Sequence, residues 1–129
     1  MKTLRVGIAS YEEMKARTLA IARGQLKPAP DDPKVWLRSA ESFARVLSER
    51  NRAILRLIAE GHPESLTALA DLSGRQKSNL SRTLRTMERY GFVKLIRGAR
   101  GRLIPKVEYQ RISLVLPVSK SAQFRTEAA

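Results

Sequence analysis

The sequence contains no cysteine. That absence excludes disulfides, thiolate zinc sites and cysteine nucleophiles together. Aromatic residues are scarce, at 5%, so a core must be built from aliphatic side chains, and no aromatic-bearing sheet is available to stack unpaired bases. Long hydrophobic runs are missing as well. No apolar stretch approaches the roughly 20 residues that span a bilayer, and the apolar run at the N-terminus is too short, and too broken by Lys2 and Arg5, for a secretory signal. A soluble, cytoplasmic protein is expected. Acidic residues are few: 12 Asp and Glu stand against 25 Lys and Arg, a formal net charge of +13. Such a balance says nothing about fold, but it predicts attraction to polyanions.

What is present supports a packed domain. Hydrophobic residues make up 43% of 129 positions, enough for one compact domain or a small domain with an appended arm. The positive charge is concentrated: residues 75–111 carry eleven basic side chains against two acidic ones, Glu88 and Glu108, a net +9. A polyanion-binding surface is therefore expected in the second half.

Residues 4–9 read as a short strand, with Val6 and Ile8 on one side. Ser10-Tyr11-Glu12-Glu13 fits a capping box, in which hydroxyl and carboxylate satisfy free backbone donors reciprocally, and opens a helix running to about Arg23 with Gly24 at its end. The proline-bearing segment 27–33 cannot continue a helix and reads as a linker. The expected division is an N-terminal strand–helix arm over 1–33, a main domain over 34–118 and a polar, flexible tail over 119–129. Within the main domain, residues 34–38 alternate like a strand, and Ser39 or Ser42 caps a short helix through Leu47. Ser48 precedes a helix with Ile54, Leu57 and Ile58 on one face, ending at Gly61. Ser65 caps another, burying Leu66, Leu69 and Ala70 and closed by Gly74. A third runs from about Gln76 to Tyr90, with Leu80, Leu84 and Met87 spaced four and three apart, and Gly91 stops it. Residues 92–97 and 102–104 flank a glycine-bounded turn and predict a hairpin; Pro105 confines the return strand to an edge or an end. One more strand is expected over 112–118.

Helix, short helix, glycine turn, amphipathic helix and hairpin, in that order, make the layout of a winged helix-turn-helix, mainly α with a small β wing (α+β). In such a layout the short helix braces the next one so that its outer face enters a major groove about 12 Å wide. With Leu80, Leu84 and Met87 inward, the outer face carries Lys77, Ser78, Ser81, Arg82, Arg85 and Arg89. Arg75, Gln76 and Asn79 sit at its start, where free backbone N–H groups favour a phosphate. Arginine bonds guanine in bidentate fashion, and short hydroxyl side chains permit close approach. Arg97, Arg100 and Arg102 cluster at the hairpin tip, suited to phosphates or a minor groove. The expected DNA-binding residues are thus Arg75, Gln76, Lys77, Ser78, Asn79, Ser81, Arg82, Arg85, Arg97, Arg100 and Arg102.

Segments 65–70, 73–84 and 88–93 resemble the core of MarR-type winged-helix regulators, over roughly residues 48–106. Most of the chain is similar to a group of small archaeal and bacterial DNA-binding proteins often encoded beside a toxin and regarded as its antitoxin. The resemblance implies double-stranded DNA as partner, transcriptional regulation and a toxin partner. MarR-type proteins dimerise through long flanking helices, and nothing after Val118 reads as one. A homodimer is expected through the arm, the 39–47 helix or the last strand.

Other residues carry bland readings. His62, in a Gly-His-Pro turn without a nucleophile nearby, fits a surface or helix-end role. Glu12 and Glu13 complement a helix start, and Trp36 suits an anchor between arm and main domain. No phosphate-cradling motif, metal site or cofactor is expected, and no enzymatic activity. Two alternatives stay open: a protein-interaction module that neutralises a toxin partner, and a basic protein that binds structured RNA.

Overall fold

The computed structural model describes residues 1–119 and Phe124. Among these the protein is a mixed α+β fold. Strand β1 (Thr3–Ile8) is followed by helix α1 (Tyr11–Ala22) and strand β2 (Val35–Leu37). Four helices come next: α2 (Ala40–Val46), α3 (Glu49–Gly61), α4 (Leu66–Ser73) and α5 (Lys77–Tyr90). A hairpin of β3 (Lys94–Arg97) and β4 (Leu103–Lys106), with a short 3-10 turn (Ala99–Gly101) between them, and then β5 (Arg111–Val115), complete the described elements. The flexible tail expected over 119–129 lies, apart from Ser119 and Phe124, outside the described residues.

Serine starts most of the helices. Ser10 accepts from the Glu13 N–H at 3.1 Å while the Glu13 carboxylate accepts from the Ser10 N–H at 2.8 Å, which completes the capping box. Ser39, Ser48 and Ser65 accept from the N–H three residues on, at 3.0, 3.2 and 3.0 Å. Of the two serines considered for α2, Ser39 is thus the cap, and Ser42 receives it. The other ends follow backbone sterics. Gly74 and Gly91 take left-handed φ of +72° and +93° after α4 and α5. His62 does the same after α3 at φ +45°, a helix-end role in which its N–H reaches the Ile58 carbonyl at 3.2 Å.

The first strand is central to the tertiary structure. A three-stranded sheet has the order β2-β1-β5, and both pairings are parallel. Val6 lies beside Val35 and Leu114, and Gly7 beside Trp36 and Val115. The strand of the segment set off as an arm therefore sits between two strands of the segment set off as the main domain. Parallel strands require cover on both faces. On one face Val6, Val35 and Leu37, each under 5% exposed, join the helical core. On the other, Gly7 leaves room for the Trp36 ring: a Cβ on Gly7 would lie 2.4 Å from it. The Arg17 guanidinium of α1 stands 5.3 Å from the centre of that ring, and Phe124 meets its edge at 5.6 Å between centroids. Arg17 also donates to Asp32 at 3.2 Å, and Asp32 accepts from the Ala29 N–H at 2.8 Å. The linker is thereby tied to α1.

The helical core is mainly aliphatic, with Phe92 as its one fully buried ring among the described residues. Leu69, Leu80, Leu84, Met87 and Phe92 are completely buried. On α3 the buried residues are Ile54, Leu55 and Ile58, with Leu57 half-buried. Leu55, outside the face read from the sequence, is buried as well, and Leu57 still packs against the core; both α4 and β4 pack on α3. Pro105 pairs with Leu95 inside β4; β4 has one partner strand among those described, so the missing N–H interrupts no second ladder. Strand β5 stops at Val115, short of the predicted 118, one residue before the Leu116-Pro117 pair, in which proline cannot donate to a ladder. The Tyr109 hydroxyl donates to the Phe92 carbonyl at 2.7 Å and clamps the α5–β3 junction to the chain leaving the hairpin. Burial pushes the Tyr109 hydroxyl up from 10 to about 12. Among the described residues, no helix is long and apolar enough to cross a membrane.

Two outcomes follow. Gly7→Ala forces the Trp36 ring aside, so it lowers unfolding free energy by about 1–3 kcal/mol, measured by urea denaturation followed through this single tryptophan; an unchanged midpoint contradicts the close packing. For Tyr109, the folded state holds its proton more tightly than the unfolded chain. Its contribution is complete below pH 10 and is lost as pH rises toward 12. Alkaline unfolding curves of wild type and Tyr109→Phe should therefore converge across that window, and curves that stay parallel refute the clamp.

Candidate nucleic-acid interface

Helix α4 and helix α5 are joined by residues 74–76 and pack against each other, with α3 and β4 behind α4. Burial of Leu80, Leu84 and Met87 fixes the rotation of α5 about its axis. At 100° per residue the diametrically opposite positions are Ser78, Arg82, Arg85 and Arg89, and all four are exposed. Gln76 and Lys77 are exposed at the start of the helix, whereas Ser81 is half-buried on its flank. Gln76 makes no side-chain cap bond, so the first N–H groups of α5 have no side-chain acceptor of the kind serine supplies to the other four helices.

Arg75 and Asn79 behave differently from the other predicted contacts. Arg75 is half-buried and its Nη2 donates to Asn79 Oδ1 at 2.9 Å and to Thr83 Oγ1 at 3.1 Å. It forms a brace along the first two turns of α5. A guanidinium only donates, so the Asn79 amide must turn its oxygen to Arg75 and its NH2 away. Burial, and then the nearby Arg50 charge, pull the Arg75 pKa below its ordinary value. Its Nε and Nη1 are buried without a hydrogen-bond partner.

The hairpin tip gathers the remaining predicted residues. Arg97 ends β3 opposite Leu103, and the turn is closed by Gly98 N–H to Arg102 O at 2.6 Å and Arg102 N–H to Ala99 O at 3.2 Å. Arg100 holds φ +61°, a left-handed conformation that L side chains rarely adopt. Arg97, Arg100 and Arg102 are all exposed.

Three contributors escaped the sequence reading. Thr83 anchors the Arg75 brace, Arg50 is its charged neighbour, and Arg45 of α2 shares with Arg82 a groove of about 310 Å³ between α2 and α5. Only Thr83 left a trace in the sequence, since it lies four residues beyond Asn79 on one helix flank. Nothing in the spacing reveals that α2 and α5 line one groove. Among the described residues no cluster of three or more His, Asp or Glu is placed to hold a metal.

The fold and this basic face define an α+β protein with an exposed arginine-bearing helix and an arginine-tipped hairpin. The chain belongs to the HVO_A0114 family, whose model matches residues 46–114, from the end of α2 to β5. No curated protein and no solved structure matches.

Thr83→Val removes one acceptor of the Arg75 brace at nearly constant shape, and a net loss of about 1 kcal/mol is expected. The same substitution made in an Arg75→Ala background should cost much less. Denaturation of the four proteins of this double-mutant cycle measures the coupling, and a coupling of zero would remove the brace.

Proposed function

We propose that this chain is a winged helix-turn-helix protein that binds double-stranded DNA and regulates transcription. The observation that carries the reading is the rotational setting of α5: its apolar stripe is wholly buried, and Ser78, Arg82, Arg85 and Arg89 stand on the opposite side. In this reading α5 enters the major groove, Arg82 and Arg85 meet base edges, and Arg97, Arg100 and Arg102 follow the backbone or enter the minor groove. The uncapped start of α5 suits a phosphate. Arg75 acts as a brace that aims Asn79, leaving Gln76, Lys77, Ser78 and the Asn79 amide NH2 as the leading contacts, with Ser81 at the flank. The protein acts as a homodimer on a pseudo-palindrome with half-sites about one helical turn apart. The resemblance to antitoxin-like proteins extends the proposal to autorepression beside a toxin partner. No catalytic role is part of the reading.

Fluorescence anisotropy with the duplex upstream of its own coding sequence, against a scrambled duplex, tests it at two salt concentrations. Preference for its own site by on the order of a thousandfold, with steep loss of affinity in salt, is expected. Arg82→Ala should relax sequence preference by about 1–3 kcal/mol, while Arg100→Ala should weaken all duplexes alike and lower the salt slope by about one. Equal, weak binding to both duplexes, stronger binding to structured RNA, or indifference to both substitutions would overturn the assignment.

A further inference from the structure

The base of the hairpin and the starting ends of β1 and β2 do not close on one another. Between them lies a cleft of about 570 Å³, inside the roughly 300–1,000 Å³ range of small-ligand sites. Its apolar floor, where surface is still open, is Leu4, Pro30 and the Tyr109 ring. Phe92 and Val93 line the same cleft but belong to the packed core, at 0% and 3% exposed, and the Tyr109 hydroxyl is already committed to the Phe92 carbonyl at 2.7 Å. That wall is rigid.

The rim is charged, and its charges do not balance. Five basic residues line the cleft against three acidic ones, and the acids are engaged. Asp32 accepts from Arg17 at 3.2 Å, Asp31 lies 3.7 Å from Arg5, and Glu108 pairs with Lys94 at 2.9 Å. The Lys94 ammonium, with Lys2 adding to it, holds the Glu108 carboxyl below its ordinary range. Lys34 and Lys106 line the same cleft and make no ion pair among the described residues. A surplus of basic residues lining one cleft raises the local concentration of anions, and the open apolar floor favours an anion that brings apolar surface to bury.

We propose that this cleft binds a small organic anion, its apolar body against Leu4, Pro30 and the Tyr109 ring and its charged group between Lys34 and Lys106. An inorganic anion leaves the floor wet, and a metal cation meets a surplus of positive charge. The inference is independent of DNA binding: the cleft residues are none of the predicted DNA contacts.

The probe is 1-anilinonaphthalene-8-sulfonate, a two-part aromatic anion whose emission rises in apolar surroundings. Titrated into the folded protein at low salt, it should bind saturably at one site. The double substitution Lys34→Gln with Lys106→Gln should weaken that binding about tenfold or more. Arg52→Gln with Arg56→Gln, the same charge change at exposed positions of α3 outside the cleft, should leave it within a factor of about two. Amide shift changes in the wild type should centre on Leu4, Val93 and Lys106, a readout that needs no variant. Absence of saturable binding, equal weakening by both double variants, or shift changes confined to the outer face of α5 would overturn the proposal.

Discussion

Burial of one apolar stripe orders everything on the exposed side of α5. Leu80, Leu84 and Met87 are wholly buried, and a helix can present that stripe to the core in only one rotation about its axis. A turn of about 100° either way would put Arg82 or Arg85 into aliphatic surroundings, where an unpaired charge is strongly disfavoured. The same constraint sends Ser78, Arg82, Arg85 and Arg89 outward together. A packing requirement thereby produces a basic surface without any contact among the basic residues themselves, and mutual repulsion among them is tolerated because the core holds the helix in place.

The second constraint is the sheet. Parallel pairing of β1 with both β2 and β5 brings residues more than a hundred positions apart into register, Thr3 beside Arg111 and Gly7 beside Val115. One face rests on the helical core and the other takes Trp36, Arg17 and Phe124. The small size of Gly7 and the Arg17–Asp32 ion pair are parts of that second cover. The cleft lies where the start of this sheet and the base of the hairpin adjoin the junction after α5. Positive charge is thus divided between two places: an exposed helix-and-hairpin face, and a cleft at the base of the hairpin.

Local elements were legible to a large degree, and for local reasons. Serine caps, the Ser10–Glu13 box, the left-handed ends at Gly74 and Gly91, and the three-four spacing in α5 act within a few residues, so the chain displays them directly. Small differences arose at the margins: on α3 Leu55 is buried with Ile54 and Ile58 while Leu57 packs against the core only partly buried, and β5 ends at Val115. The candidate site was legible as an inventory but not as an arrangement. Arg75 and Asn79 look like free contacts in the sequence, yet in space one holds the other.

The sequence by itself determined the number and kind of elements, the apolar stripe of α5 and the concentration of positive charge in residues 75–111, because each rests on residue type and short-range spacing. Only the tertiary structure decided that β1 lies between β2 and β5, that Arg45 joins Arg82 across a groove, and that lysines from both halves of the chain surround one cleft. Strand order and side-chain convergence depend on which surfaces can be buried together. That is a property of the whole chain, carried by contacts with no fixed separation in sequence, and no local pattern records it.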